Sequence, residues 1–169
     1  MDYRQELISM IDKFNVQSVE EFKEIELKII ADSKSIFKKN KDYDGHIAKL
    51  KKIKGDAQRL NPRSIKIPQD DKLSKDLIDN FQRCLIIFSG VCDGYIQFET
   101  ALKGKAEGDK TKFSEIKQIN DKVRFAKTNL NNHLNELNII YSEFNEMDRG
   151  DEDEEDLEGI AYMTYESLK

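Results

Sequence analysis

Apolar residues recur along most of this chain at helical spacing. After Asp2, the positions Tyr3, Leu7, Ile11 and Phe14 follow at steps of four, four and three, which puts them on one helix face. Ser18 and Glu21 have the spacing of a capping box and predict a second helix start, carrying Phe22, Ile25, Ile29, Ile36 and Phe37 and ending near Lys39. A third helix takes Ile47, Leu50, Ile53, Ala57 and Leu60 as its buried stripe, and Pro62 stops it. Pro62 and Pro68, the only prolines, mark one loop.

Beyond that loop the repeat becomes regular. Leu77, Cys84, Val91 and Phe98 recur every seven residues, and Phe81, Phe88, Tyr95 and Leu102 form a second such row four residues on. One long helix over roughly 71–103 follows. Gly104 and Gly108 break the chain, after which Ile116, Val123, Leu130, Leu137 and Phe144 make a further heptad row beside Ile119, Ala126, His133, Ile140 and Met147. A helix from about 111 to 147 is about 55 Å long at 1.5 Å per residue. Two such helices joined by a short turn must lie antiparallel, and the three shorter ones are the natural cover for their apolar seam. Gly90 and Gly94 would admit close approach of another backbone.

The pattern therefore predicts an all-α fold. A bundle of about five helices built on a long antiparallel C-terminal hairpin occupies residues 1–147, and an acidic, partly apolar tail occupies 148–169. At 169 residues the chain is long enough to bury a core without disulfide or metal staples, and its 36% charged residues with only ten Gly and Pro suit helices. Cys84 and Cys92, about 12 Å apart along one helix, are beyond disulfide reach and are expected as buried thiols. The first twenty residues hold Asp2, Arg4, Glu6, Asp12 and Lys13, so no secretory signal is expected, and the longest apolar run, Cys84 to Phe88, is too short to span a bilayer. The expectation is a soluble, cytoplasmic protein with no membrane contact.

The net charge of −5 conceals an asymmetry. The tail has nine acids against Arg149 and Lys169, a net of −7, whereas Lys34–Lys66 holds eleven bases against three acids, a net of +8. The basic stretch offers Lys38, Lys39, Lys49, Lys51, Lys52, Lys54 and Arg59 as anion-binding candidates, although Tyr43 is the only aromatic between Lys38 and Lys66, which leaves little for base stacking. In the tail, Asp153, Glu154, Glu155 and Asp156 run directly into Leu157, Ile160, Tyr162, Met163 and Tyr165. A merely solvating acidic run needs no aromatics, so these residues are expected to form a recognition segment whose acids act with its apolar end. If helical, Leu157, Ile160 and Met163 share one face.

Patterns that carry chemistry are scarce. His133 stands alone on an apolar row and reads as a packed, hydrogen-bonded histidine, since one His cannot hold a metal and no Glu-x-x-His pair exists. The stretch Thr128-Asn129-Leu130-Asn131-Asn132-His133 resembles the active-site spacing of HEPN ribonucleases, helical bundles with an Arg four to six residues before a catalytic His. Here Thr128 or Lys127 stands where that Arg is needed, so the resemblance implies at most a non-catalytic relative. Tyr162 and Glu166 are similar to the tail signal of small helical proteins exported by type VII secretion, although the Trp-x-Gly turn of such proteins is missing. Asp151-Glu-Asp153-Glu-Glu-Asp156 lacks the glycine of a calcium loop, and Arg149-Gly150-Asp151 spells an adhesion tripeptide by coincidence. No cofactor is implied.

The functional expectation is a non-enzymatic helical protein–protein interaction module, an adaptor, accessory or inhibitor-type subunit, whose tail recognises another protein. The alternative is an accessory protein that contacts nucleic acid or a nucleoprotein complex through Lys34–Lys66, and a further one is a small helical protein of a type VII secretion pathway.

Overall fold

The computed structural model describes residues 2–34 and 41–149, and all of their regular secondary structure is helical. Helix α1 (Tyr3–Lys13) starts at Asp2, whose carboxylate accepts from the Gln5 backbone N–H at 2.9 Å and so satisfies one of the unpaired donors of the first turn. No break follows. A π-helical segment, Phe14–Val19, carries the chain straight into α2 (Glu20–Lys34). The capping box expected at Ser18 is therefore absent: Ser18 is buried inside the π segment, and its hydroxyl has no hydrogen-bond partner. The expected end of this helix near Lys39, with Ile36 and Phe37, lies outside the described residues.

Helix α3 (Tyr43–Gln58) is capped by Asp42, which accepts from the Gly45 N–H at 3.0 Å. A Cβ on Gly45 would press on the Asp42 carboxylate, so a larger residue there requires that side chain to shift. A 3₁₀ turn (Pro62–Ser64) ends the descent, with Pro62 and Ile65 buried beneath the loop. Helix α4 (Lys72–Ala106) begins at Asp71, whose carboxylate caps Ser74, accepts the Tyr3 hydroxyl at 2.6 Å and sits 3.7 Å from the Arg4 guanidinium. The starts of α1 and α4 are thereby tied together, and the two helices run parallel.

Helix α4 passes Gly104 and reverses at Gly108, where φ is +89°, a left-handed conformation that favours glycine. Helix α5 (Phe113–Arg149) returns alongside it. The hairpin is tight at Gly94, where an added Cβ would lie 2.9 Å from a Val123 methyl. Gly90, by contrast, is exposed with nothing near it. With α3 antiparallel to both α2 and α4, the result is an up-down-up-down bundle in which α1 and α2 act as one long first helix.

The core follows the heptad rows. Leu77, Cys84, Val91 and Phe98 are buried, as are Phe81, Phe88 and Tyr95, while Leu102 is half-buried. On α5 the row Ile116, Val123, Leu130, Leu137 and Phe144 is buried; of the expected companion row Ile119, Ala126 and Ile140 are half-buried against the core, His133 is half-buried on the flank and Met147 is exposed, while Leu134 and Tyr141 on the other side are fully buried. The first helix lies on the Leu134 side of α5, with Tyr141 donating to Asp12 at 3.2 Å. A chain of rings fills the centre: Phe88 meets Phe14 and Phe22 edge-on at centroid distances of 5.3 and 5.6 Å, Phe14 reaches Phe81 and Phe22 reaches Tyr95.

Candidate functional site

The most unusual chemistry lies where α2, α3 and α4 converge. The stripe of α3 that faces the core is His46, Leu50, Ile53 and Ala57, with Ile47 only half-buried, so His46 occupies the inward position expected for Ile47. The residue is 6% exposed. Nδ1 lies 2.6 Å from a Glu99 carboxylate oxygen on α4, and Nε2 lies 3.7 Å from an Asp32 oxygen on α2. Both acids are themselves buried. Burial pushes the Glu99 carboxyl above the usual range, the hydrogen bond and charge of His46 oppose that, and Asp32 adds to it. Tyr43, one turn before His46, is raised chiefly by burial and further by the two carboxylates. Beside the cluster, Glu24, Ile25, Lys28, Asp42, Gly45, His46 and Lys49 line a groove of about 290 Å³ between α2 and α3.

A second buried acid joins three helices further along. Glu26 on α2 accepts the Tyr95 hydroxyl at 2.6 Å and the Lys127 ammonium of α5, so each carboxylate oxygen has a donor. Burial, then the Glu26 bond, pushes the Tyr95 phenol well above its ordinary value. This arrangement satisfies its charges internally and leaves no open position for a reacting group. Asn131, Asn138 and Asn145 recur every seven residues on α5, and each has a buried amide atom without a partner.

The basic residues are spread over α3 and are largely occupied. Lys49 faces Glu21, Lys54 faces Asp93 at 2.7 Å, and Lys52 and Arg59 share Asp56. Lys51 is exposed and makes no ion pair among the described residues. The structure brings the four lysines to one helix with Arg59 at its C-cap, and Glu21, Asp93 and Asp56 occupy four of the five. Lys38 and Lys39 lie outside the described residues, as do Asp153, Glu154, Glu155, Asp156, Leu157, Ile160, Tyr162, Met163 and Tyr165 of the tail.

His133 is half-buried on the flank of α5, with Nδ1 2.9 Å from the Asn129 carbonyl one turn earlier. Lys127, standing where a ribonuclease of that spacing would place its Arg, is held by Glu26. Cys84 and Cys92 are free, buried thiols whose pKa values burial pushes up to about 12. Among the described residues no group of three His, Cys, Asp or Glu side chains is placed to hold a metal ion, and no helix is long and apolar enough to cross a membrane.

The outer surface of the hairpin carries large apolar side chains. On α5, Phe125 is 79% exposed, Ile139 63% and Met147 68%, and Ile86 projects from α4. Phe125 and Ile139 stand fourteen residues apart, on one heptad row of the outward face. Compared with known proteins, the chain matches no family model, no curated sequence and no solved structure.

Proposed function

We propose that this chain is a helical protein–protein interaction module that performs no catalysis itself, and that it binds its partner through the outer face of α5 together with the acidic segment that follows it. The observation that carries this reading is the row of exposed apolar side chains on α5, since Phe125, Ile139 and Met147 contribute nothing to the bundle core. Large apolar groups lining one exposed helix are the pattern a helical partner or groove covers. The tail continues from the same helix, so its acids and its Leu157, Ile160 and Met163 would extend one surface. The alternative, nucleic-acid contact through Lys34–Lys66, is supported less, because four of its five described candidates already face the protein's own carboxylates.

The two readings separate by salt. Binding to heparin or a mixed-sequence duplex that weakens steeply with salt, and is lost when Lys49, Lys51, Lys52 and Lys54 become Gln, would establish the nucleic-acid reading. The interaction reading expects weak heparin retention and a partner photo-crosslinked from positions 125 and 139 but not from the exposed Lys51 position. It also expects that crosslink to disappear when the chain is cut after Met147. No crosslink from either α5 position in the native host would refute it.

A further inference from the structure

The outward face of α5 carries its charges in a definite order. From Phe125 to Ile139 six positions are exposed, and five of them, Phe125, Thr128, Asn129, Asn132 and Ile139, are uncharged, which leaves Glu136 as the single charge. Lys127, within the same span, is turned to Glu26. In a chain with 36% charged residues, so long a face with one charge matches the depletion found at the buried centre of an interface.

The two flanks differ in sign. Before the patch, Lys117, Lys122 and Arg124 are exposed with Asp121, three bases to one acid for a net of +2. After it, Glu143 and Glu146 are exposed with no Lys or Arg among them, and together with Glu136 they make this end −3. None of these bases or glutamates forms an ion pair among the described residues, so their charges are open to another molecule.

A helix face with a basic half, an uncharged centre and an acidic half is complementary to its own copy turned end for end. Phe125 and Ile139 each lie seven residues from Asn132, about 10 Å along the axis, so an antiparallel copy centred near Asn132 sets Phe125 of each chain beside Ile139 of the other. Lys122 and Arg124 then stand opposite Glu143 and Glu146, once at each end of the pair. Asp121 offsets part of that attraction. A parallel copy would instead oppose base to base and acid to acid.

Resting on the reading that the outer face of α5 is the binding surface, we propose that the partner it takes is a second copy of this chain, joined through antiparallel α5 helices about a two-fold axis near Asn132. Both copies use the same patch, as an isologous contact requires. Each α5 ends at Arg149, level with the start of α5 in the other copy, where Lys112 and Lys117 are exposed. The acidic segment that follows α5 thus begins beside bases of the second chain, and one occupant accounts for both the apolar row and the acids.

The test is sedimentation velocity of the full purified chain from about 1 µM to about 500 µM, the range suited to an interface of one helix face per copy. The mass should double across that range. Phe125→Asp and Ile139→Asp should each weaken the dimer about tenfold or more, with the melting temperature of the monomer unchanged because both sites are exposed. Reversing the basic end with Lys122→Glu and Arg124→Glu should weaken it, as should reversing the acidic end with Glu143→Lys and Glu146→Lys, while all four changes together restore it. Asn132→Cys should join to its own counterpart on oxidation, whereas Gln118→Cys, about 42 Å from its counterpart, should not. The native thiols are buried and do not compete. A chain that stays monomeric to the highest concentration overturns the proposal, as does a dimer indifferent to Phe125→Asp and Ile139→Asp, or one that the fourfold reversal fails to restore. A monomeric chain that still crosslinks from positions 125 and 139 to a different protein in the native host overturns self-association alone and leaves the interaction reading standing; a monomer with no crosslink at all sinks both.

Discussion

Replacing Phe88 by Ala tests whether the ring chain at the centre of the bundle is its stability core. The side chain is fully enclosed, and its ring meets Phe14 at 5.3 Å and Phe22 at 5.6 Å, both edge-on. Truncating a buried Phe costs about 3–5 kcal/mol through lost transfer energy and the cavity left behind. Each edge-to-face pair adds about 0.5–1.5 kcal/mol beyond its area. The cavity opens between α4 and the first helix, where large rings on both sides have little freedom to close it, so the expected loss lies near the top of that range, about 4–5 kcal/mol. With a urea slope of about 2 kcal/mol per molar, the unfolding midpoint should drop by about 2 M. Chemical unfolding followed by far-ultraviolet circular dichroism measures this, with Phe125→Ala, at a side chain 79% exposed, as the matched control. A Phe88→Ala midpoint within about 0.5 M of the wild type, or an equal loss in the control, would refute the placement of the core.

Other expectations use the same measurements. Gly90→Ala should stabilise by about 0.5–1 kcal/mol because the site is open, whereas Gly94→Ala should lose that gain and more to the clash with Val123. Asn145 is 2% exposed with an unpartnered carbonyl oxygen, so Asn145→Leu should raise stability by about 1 kcal/mol, read as a higher melting temperature. Both thiols, with pKa values near 12, should resist a disulfide reagent at about pH 8 in the native protein and react fully once it is unfolded.

The long hairpin was legible because seven-residue rows identify a buried seam whatever lies opposite it. Its second row on α5 was legible only in part. Apolar residues lie three or four positions from Leu130 and Leu137 on both sides of that row, Ala126 and Ile140 on one and Leu134 and Tyr141 on the other, and the position of the first helix decides that Leu134 and Tyr141 are the fully buried pair. The continuity of the first helix is not legible in the sequence, because Ser18 and Glu21 have cap spacing and nothing local announces that the chain continues through a π turn. His46 has a signal in the sequence: His46, Leu50, Ile53 and Ala57 step by four, three and four, a more regular face than one starting at Ile47. Its partners are beyond any local pattern, since Glu99 lies 53 residues away along the chain. The asparagine row at 131, 138 and 145 shows the same heptad spacing as the core and is visible in the sequence as polar residues inserted into a helical repeat.

The π segment has a consequence for how this first helix can change length. A π turn uses one more residue per hydrogen-bonded turn than an α turn, so Phe14–Val19 stores a surplus residue without shifting the faces on either side. Its outward side is Val16 and Gln17, both exposed. Removing either should let the helix close into continuous α geometry with Phe14, Val19 and Phe22 still directed at the same rings. The same deletion in α4 or α5 would rotate every later side chain by about 100° and scramble the seam. Within the helices of this bundle, where a one-residue change otherwise shifts the buried face, these six residues are where the reading frame of the core can absorb one.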